Sequence, residues 1–148
     1  MDAPKAFLEG FQNLILVGNP GSGKTEYANR LAQVFSALNI VCNVDTHEGS
    51  AVVREKVPTD FIGQYIGQTA PRTRALLLES TEKVLFIDEA YGITENEKKG
   101  EEYGQEAVNE LVGYLSTHIG QLIVIAAGYE EEMMRFQVNN VGLARRMK

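Results

Sequence analysis

The chain has 148 residues, 44% of them apolar, which suits one domain with a buried core and excludes a disordered segment. Its net charge of −6 lacks the basic footprint of a general nucleic-acid binder, so nucleic acid is not expected as a partner. A single cysteine, Cys42, excludes an internal disulfide; His47 and His118 stand apart without zinc-ligand spacing, and no apolar run is long enough to span a bilayer. Cys42 reads as a small buried residue in a reducing compartment, and the N-terminus, with Asp2, Pro4 and Glu9, lacks the layout of a signal peptide.

The first predicted element is a short buried strand over residues 13–18. It runs into Gly18, Asn19, Pro20, Gly21, Ser22, Gly23, Lys24 and Thr25, the pattern G-x-x-x-x-G-K-[ST] of a phosphate-binding loop, here between a strand and a helix as that loop requires. Gly21 and Gly23 let the backbone bend so that its N–H groups converge on phosphate oxygens. The helix N-terminus faces the anion, Lys24 reaches the β- and γ-phosphates, and the Thr25 hydroxyl is suited to hold Mg²⁺. The helix is expected over residues 24–38, with Tyr27, Leu31, Val34, Phe35 and Leu38 on one face and Asn39 as its end signal.

Residues 40–44 and 51–57 both suit strands, separated by a turn at 47–50, and Pro58 stops the second run. Thr69 is expected to cap a helix that carries Pro71 in its first turn and ends near Glu79 or Ser80. Residues 84–87, Val-Leu-Phe-Ile, form a fully apolar strand that ends in Asp88 and Glu89. The carboxyl edge of an open α/β sheet is where ligands bind, so Asp88 is expected to hold Mg²⁺ and Glu89 to orient a water for attack on the γ-phosphate. Residues 92–100 read as a loop. A helix over 102–117 buries Ala107, Val108, Leu111, Val112 and Leu115; a strand follows at 122–127 and a short helix at about 130–136. Strands alternating with helices predict an α/β fold, a three-layer P-loop arrangement with a mainly parallel sheet flanked by helices, in a single domain over residues 1–148.

Residues 11–148 resemble the AAA+ ATPases, and among them the CbbX/CfxQ (SpoVK-like) branch. The phosphate-binding loop and the Asp88-Glu89 strand are common to the superfamily. The branch is indicated by Asp60-Phe61-Ile62-Gly63-Gln64-Tyr65-Ile66-Gly67-Gln68-Thr69-Ala70-Pro71-Arg72-Thr73, by Leu85-Phe86-Ile87-Asp88-Glu89-Ala90-Tyr91, by Tyr103-Gly104-Gln105-Glu106-Ala107 and by Ala127-Gly128-Tyr129. The resemblance implies an ATP- and Mg²⁺-dependent ATPase that assembles into a ring, a hexamer in the full-length protein, and remodels a protein client, with inhibited Rubisco as one candidate. It implies a cytoplasmic location, or the plastid stroma in a photosynthetic eukaryote.

The same resemblance makes Tyr65, Ile66 and Gly67 a pore loop; on the residues alone, Tyr65 and Ile66 would equally suit the core. It gives Arg146, in Gly142-Leu143-Ala144-Arg145-Arg146, the role of an arginine finger on a neighbour's nucleotide, against the plainer reading of a solvated basic tail. Where many relatives carry a polar sensor this chain has Gly128-Tyr129, and Tyr129 reads by default as a core tyrosine. Family members extend into an upstream adenine cradle and a helical lid, so the chain is expected to be an AAA+ core trimmed at both ends and lacking the C-terminal lid. Two other function classes remain open: a small P-loop kinase, against which Glu89 weighs, and a nucleotide-dependent scaffold that hydrolyses little.

Overall fold

The computed structural model describes residues 13–41, 53–95 and 100–148. Cys42, most of the 40–44 run, the turn at 47–50 and residues 96–99 of the expected loop lie outside the described residues.

Among the described residues four strands form one sheet: β1 (Asn13–Val17), β2 (Val53–Lys56), β3 (Val84–Asp88) and β4 (Ile123–Gly128), in the order β1-β4-β3-β2. Every pairing is parallel, with Leu14 opposite Ile125 and Leu85 opposite Val124. The two central strands are buried on both faces, which is why they read as unbroken apolar runs. The edge strand β2, Val-Arg-Glu-Lys, exposes Arg54 and Glu55, and carries a correspondingly weak sequence signal.

Alternate side chains of the central strands feed two cores. Val84, Phe86, Ile123, Ile125 and Ala127 pack under helix α1 (Lys24–Ala37), and Leu85, Ile87, Val124 and Ala126 pack under the helices of the opposite face. Those helices are α2 (Pro58–Phe61), α3 (Thr69–Glu79), α4 (Gly100–Thr117), α5 (Glu130–Asn139) and α6 (Val141–Ala144). The three-layer expectation holds.

Several local expectations are corrected. On α1 the buried residues are Ala28, Ala32 and Phe35, and Leu31 packs partly buried against the same core, while Tyr27, Val34 and Leu38 are exposed; two small alanines let the helix lie close to the sheet. Asn39 does end this helix, at φ 57°, with its N–H donating to Ser36 O and that of Ile40 to Phe35 O. Pro58 opens a helix as well as ending the strand. It is the first residue of α2, whose Asp60 carboxylate accepts from the Val57 N–H at 2.8 Å. Thr69 is not the cap of α3; Gln68 holds that position, and the fully buried Thr69 hydroxyl accepts instead from the Gly63 N–H at 3.0 Å. A 3₁₀ turn at Ala90–Ile93 begins the stretch read as loop, and α4 starts at Gly100.

Candidate functional site

The carboxyl ends of β1, β3 and β4 open into a cleft of about 570 Å³, lined by residues 20–26 together with Asn29, Asp88, Glu89, Gly128 and Tyr129. It lies at the sheet edge where open α/β folds bind ligands. The adjacent pairs Lys24-Thr25 and Asp88-Glu89, far apart from one another in sequence, meet there.

The loop leaves β1 tied to β4, because the Gly18 N–H donates to Gly128 O at 3.2 Å. Gly21 and Gly23 have φ of 72° and 86°, a region where an L side chain is strained. Gly23 is the residue before α1, so its backbone delivers the first N–H groups of that helix into the cleft. The Lys24 ammonium donates to Gly18 O at 2.8 Å and Asn19 O at 3.0 Å. It thus arches over the loop, with a third N–H still to give.

Asp88 closes β3, and its Oδ1 accepts from the Glu89 N–H at 3.1 Å. Glu89 adopts φ 51°, ψ 47°, a left-handed conformation that costs a non-glycine residue about 1 kcal/mol or more and is found disproportionately at active sites. This turn takes the chain out of the strand direction and leaves the Glu89 carboxylate exposed at the cleft. Among the described residues no group of three or more His, Cys, Asp or Glu could cage a metal. A Thr25 hydroxyl and an Asp88 carboxylate on one cleft fit Mg²⁺, which keeps most of its ligands as water and phosphate oxygens.

Tyr129 belongs to this site, against the expectation of a core tyrosine: it is half-buried, lines the cleft, and its ring centroid lies 5.6 Å from the Lys24 Nζ. Its place just after an apolar strand was the available signal. Tyr91 packs behind it, with ring centroids 6.3 Å apart. A Cβ on Gly128 would lie 2.8 Å from the Tyr91 ring, so only glycine admits that packing. Burial, followed by the nearby Glu89 carboxylate, pushes the Tyr91 phenol up to about 12. Asn29 also lines the cleft, and nothing in the sequence reading singled it out.

Tyr65, Ile66 and Gly67 lie outside the cleft, on a loop between α2 and α3. Tyr65 is 67% exposed and Ile66 88%, so neither is a core residue, and Gly67 has φ 81°. The base of the loop is held firmly: Thr73 Oγ1 donates to Phe61 O at 2.9 Å, and the Tyr65 N–H to Gln68 Oε1 at 3.2 Å. Arg146 does not line the cleft either. Its guanidinium donates to Ser116 Oγ at 2.8 Å and Gly142 O at 2.6 Å, whereas exposed Arg145 makes no side-chain hydrogen bond among the described residues. The segment carrying both is anchored by buried Asn13, whose Nδ2 donates to Arg146 O and whose Oδ1 accepts from the Val124 N–H, each at 3.0 Å.

Residues 14–146 match the model of the ATPase family associated with various cellular activities (AAA). Over 98% of its length the chain is 40% identical to protein CbxX of Cupriavidus necator, covering 44% of that protein. Over 94% of its length it is 37% identical to the ESX-2 secretion system protein EccA2 of Mycobacterium tuberculosis, covering 22% of it. The chain therefore spans less than half the length of these relatives. In fold it is similar to the FIGL-1 AAA domain solved in complex with ADP, with a TM-score of 0.54 at 20% identity, over 82% of this chain and 38% of that one.

Proposed function

The chain belongs to the AAA family of ATPases, in its CbbX/CfxQ-like branch, and from that membership we propose that it binds ATP with Mg²⁺ in the cleft above β1, β3 and β4 and hydrolyses it to drive a ring that pulls on a protein client. The observation that carries this reading is the meeting of Lys24, Thr25, Asp88 and Glu89 on one cleft.

In this reading the loop amides and the start of α1 hold the β- and γ-phosphates, and Lys24 transfers N–H bonds from the Gly18 and Asn19 carbonyls to phosphate oxygens. Thr25 and Asp88 would hold Mg²⁺, whose charge would neutralise part of that on the phosphate oxygens. Glu89 orients a water and accepts its proton. The water oxygen bonds to the γ-phosphorus as the bond to the leaving ADP oxygen breaks, giving ADP and phosphate. Arg146 serves the next subunit's nucleotide in a hexamer; for that its guanidinium must leave Ser116 and the Gly142 carbonyl, whereas Arg145 is already unengaged among the described residues. Tyr65 and Ile66 grip the client by apolar contact that demands no particular sequence. Inhibited Rubisco, the candidate that the resemblance supplies, is the first client to assay.

The test combines one variant with one dilution series. Glu89→Gln should retain ATP binding while turnover falls by about a hundredfold or more, the usual scale of a lost general base. Wild-type turnover per chain should rise steeply with protein concentration if a neighbour completes the site. Unchanged turnover in Glu89→Gln removes the assigned water activator, and turnover independent of concentration favours a monomeric kinase-like enzyme.

A further inference from the structure

We propose that Tyr129 is a positioning residue: its ring is an aromatic shelf that holds the Lys24 ammonium as that group passes from the loop carbonyls to the nucleotide phosphates. The proposal rests on the ATP reading of the cleft and adds to it the residue that steers the lysine.

Lys24 is engaged on two sides. Two of its N–H groups go to Gly18 O and Asn19 O, and the Tyr129 ring lies beneath the ammonium at 5.6 Å. An N–H···O bond weakens steeply once its angle at hydrogen falls below about 120°, whereas a ring face attracts a cation through its quadrupole over a broader range of ammonium orientations. The ammonium can therefore turn away from the carbonyls and keep the ring. The ring also shields one flank of the lysine from water, which strengthens the attraction between Lys24 and phosphate.

The shelf is itself fixed. Tyr129 follows Gly128, whose carbonyl accepts from the Gly18 N–H, so ring and phosphate loop share one hydrogen-bonded junction. The Tyr129 carbonyl accepts from the Met133 N–H at 2.9 Å, which seats the residue at the start of α5. Tyr91 supports the ring from the side of Glu89, in the space that the missing Gly128 side chain leaves. The residue that follows β4 thus meets the phosphate-binding cation by its π face. A polar sensor would act there through a directional hydrogen bond, and the Tyr129 hydroxyl is not needed for the shelf.

The experiment replaces Tyr129 by phenylalanine carrying none, one, two or three ring fluorines and measures the ATP dissociation constant by calorimetry, with AMP as the control ligand. Fluorines drain the ring quadrupole while nearly preserving shape, so a purely structural role would not respond. Tyr129→Phe should keep ATP affinity within about twofold, and affinity should then weaken stepwise with fluorination by about two- to fivefold in all, the scale of an exposed cation–π contact. AMP, which lacks the phosphates Lys24 serves, should show no trend. A flat ATP series, with Lys24→Ala unable to bind ATP, overturns the shelf and leaves the ATP site standing. A large loss already in Tyr129→Phe overturns it in favour of the hydroxyl. Normal ATP binding by Lys24→Ala overturns the nucleotide assignment together with the shelf.

Discussion

Replacing Gly104 by alanine puts a methyl group where α4 meets the turn that follows Glu89. The added Cβ would lie 2.0 Å from Ile93 O, 3.0 Å from Ile93 C and 3.1 Å from Thr94 Cα, all of them backbone atoms. Carbon and oxygen rarely approach closer than about 3.3 Å, so one of the two segments must move by more than ~1 Å. Overpacking of this kind costs about 3 kcal/mol at the upper end of its usual range. Alanine in place of glycine inside a helix returns about 1 kcal/mol, leaving a net loss of about 2 kcal/mol. For a domain of this size that lowers the melting temperature by about 6 °C. Gly113→Ala is the matched control on the same helix: nothing lies within 4 Å of the added Cβ, so only the helix gain remains. It should raise the melting temperature by about 3 °C. Far-UV circular dichroism melts of both variants give the comparison. If both alanines stabilise alike, α4 does not press against Ile93 and the packing described around Glu89 is wrong.

Two further outcomes are expected. Tyr65→Ala and Ile66→Ala should each change unfolding free energy by less than about 0.5 kcal/mol, because both side chains are exposed, while client remodelling falls and basal ATP turnover persists; a large fall in stability in chemical denaturation would return them to the core. The Tyr91 phenol, pushed up to about 12, should ionise late in an ultraviolet difference titration, a step absent from Tyr91→Phe. The folded state holds this proton more tightly than the unfolded chain. The stability linked to it is therefore fully present below about pH 10 and is lost as pH rises toward 12, and Tyr91→Phe should flatten that part of the pH profile.

The legible parts of this chain were those whose residue types had no second use. Gly21, Gly23, Lys24 and Thr25 declared the loop because only a phosphate cradle needs that spacing, and the unbroken apolar runs of β3 and β4 declared strands buried on both faces. The α1 face is only partly legible because large apolar residues outweigh small ones in the pattern: Phe35 and Leu31 do face the core, but Ala28 and Ala32, not Tyr27, Val34 and Leu38, complete that face. A threonine before a helix has two uses that the sequence does not separate, and here the Thr69 hydroxyl serves the Gly63 N–H and not the helix end. Asn13 was invisible as an anchor. Its partners are a backbone carbonyl and a backbone N–H more than a hundred positions away, and backbone groups carry no sequence signature.

Gly104 and Gly128 of the branch-specific segments, and Gly92 beside them, acquire a common physical reason when taken together with Glu89. That residue sits in a left-handed conformation, and the Ala90–Ile93 turn must leave the strand sharply behind it. Three glycines, one within the turn and two on the elements beside it, let it settle against the domain by having no side chain. Gly128 admits the Tyr91 ring, Gly104 admits the Ile93 carbonyl, and Gly92 lies against Pro58, where a Cβ would come within 2.9 Å of the proline ring. Pro58 begins α2, whose last residue, Phe61, accepts the Thr73 hydroxyl bond that braces the Tyr65 loop. The turn that presents the carboxylate to the cleft is therefore packed without slack against the base of the loop that exposes Tyr65 and Ile66. Close-packed contacts of this kind do not absorb displacement by compressing; they pass it on or break. The Ala90–Ile93 turn and the base of the Tyr65 loop are thus joined through Pro58 and α2 by contacts within a single chain.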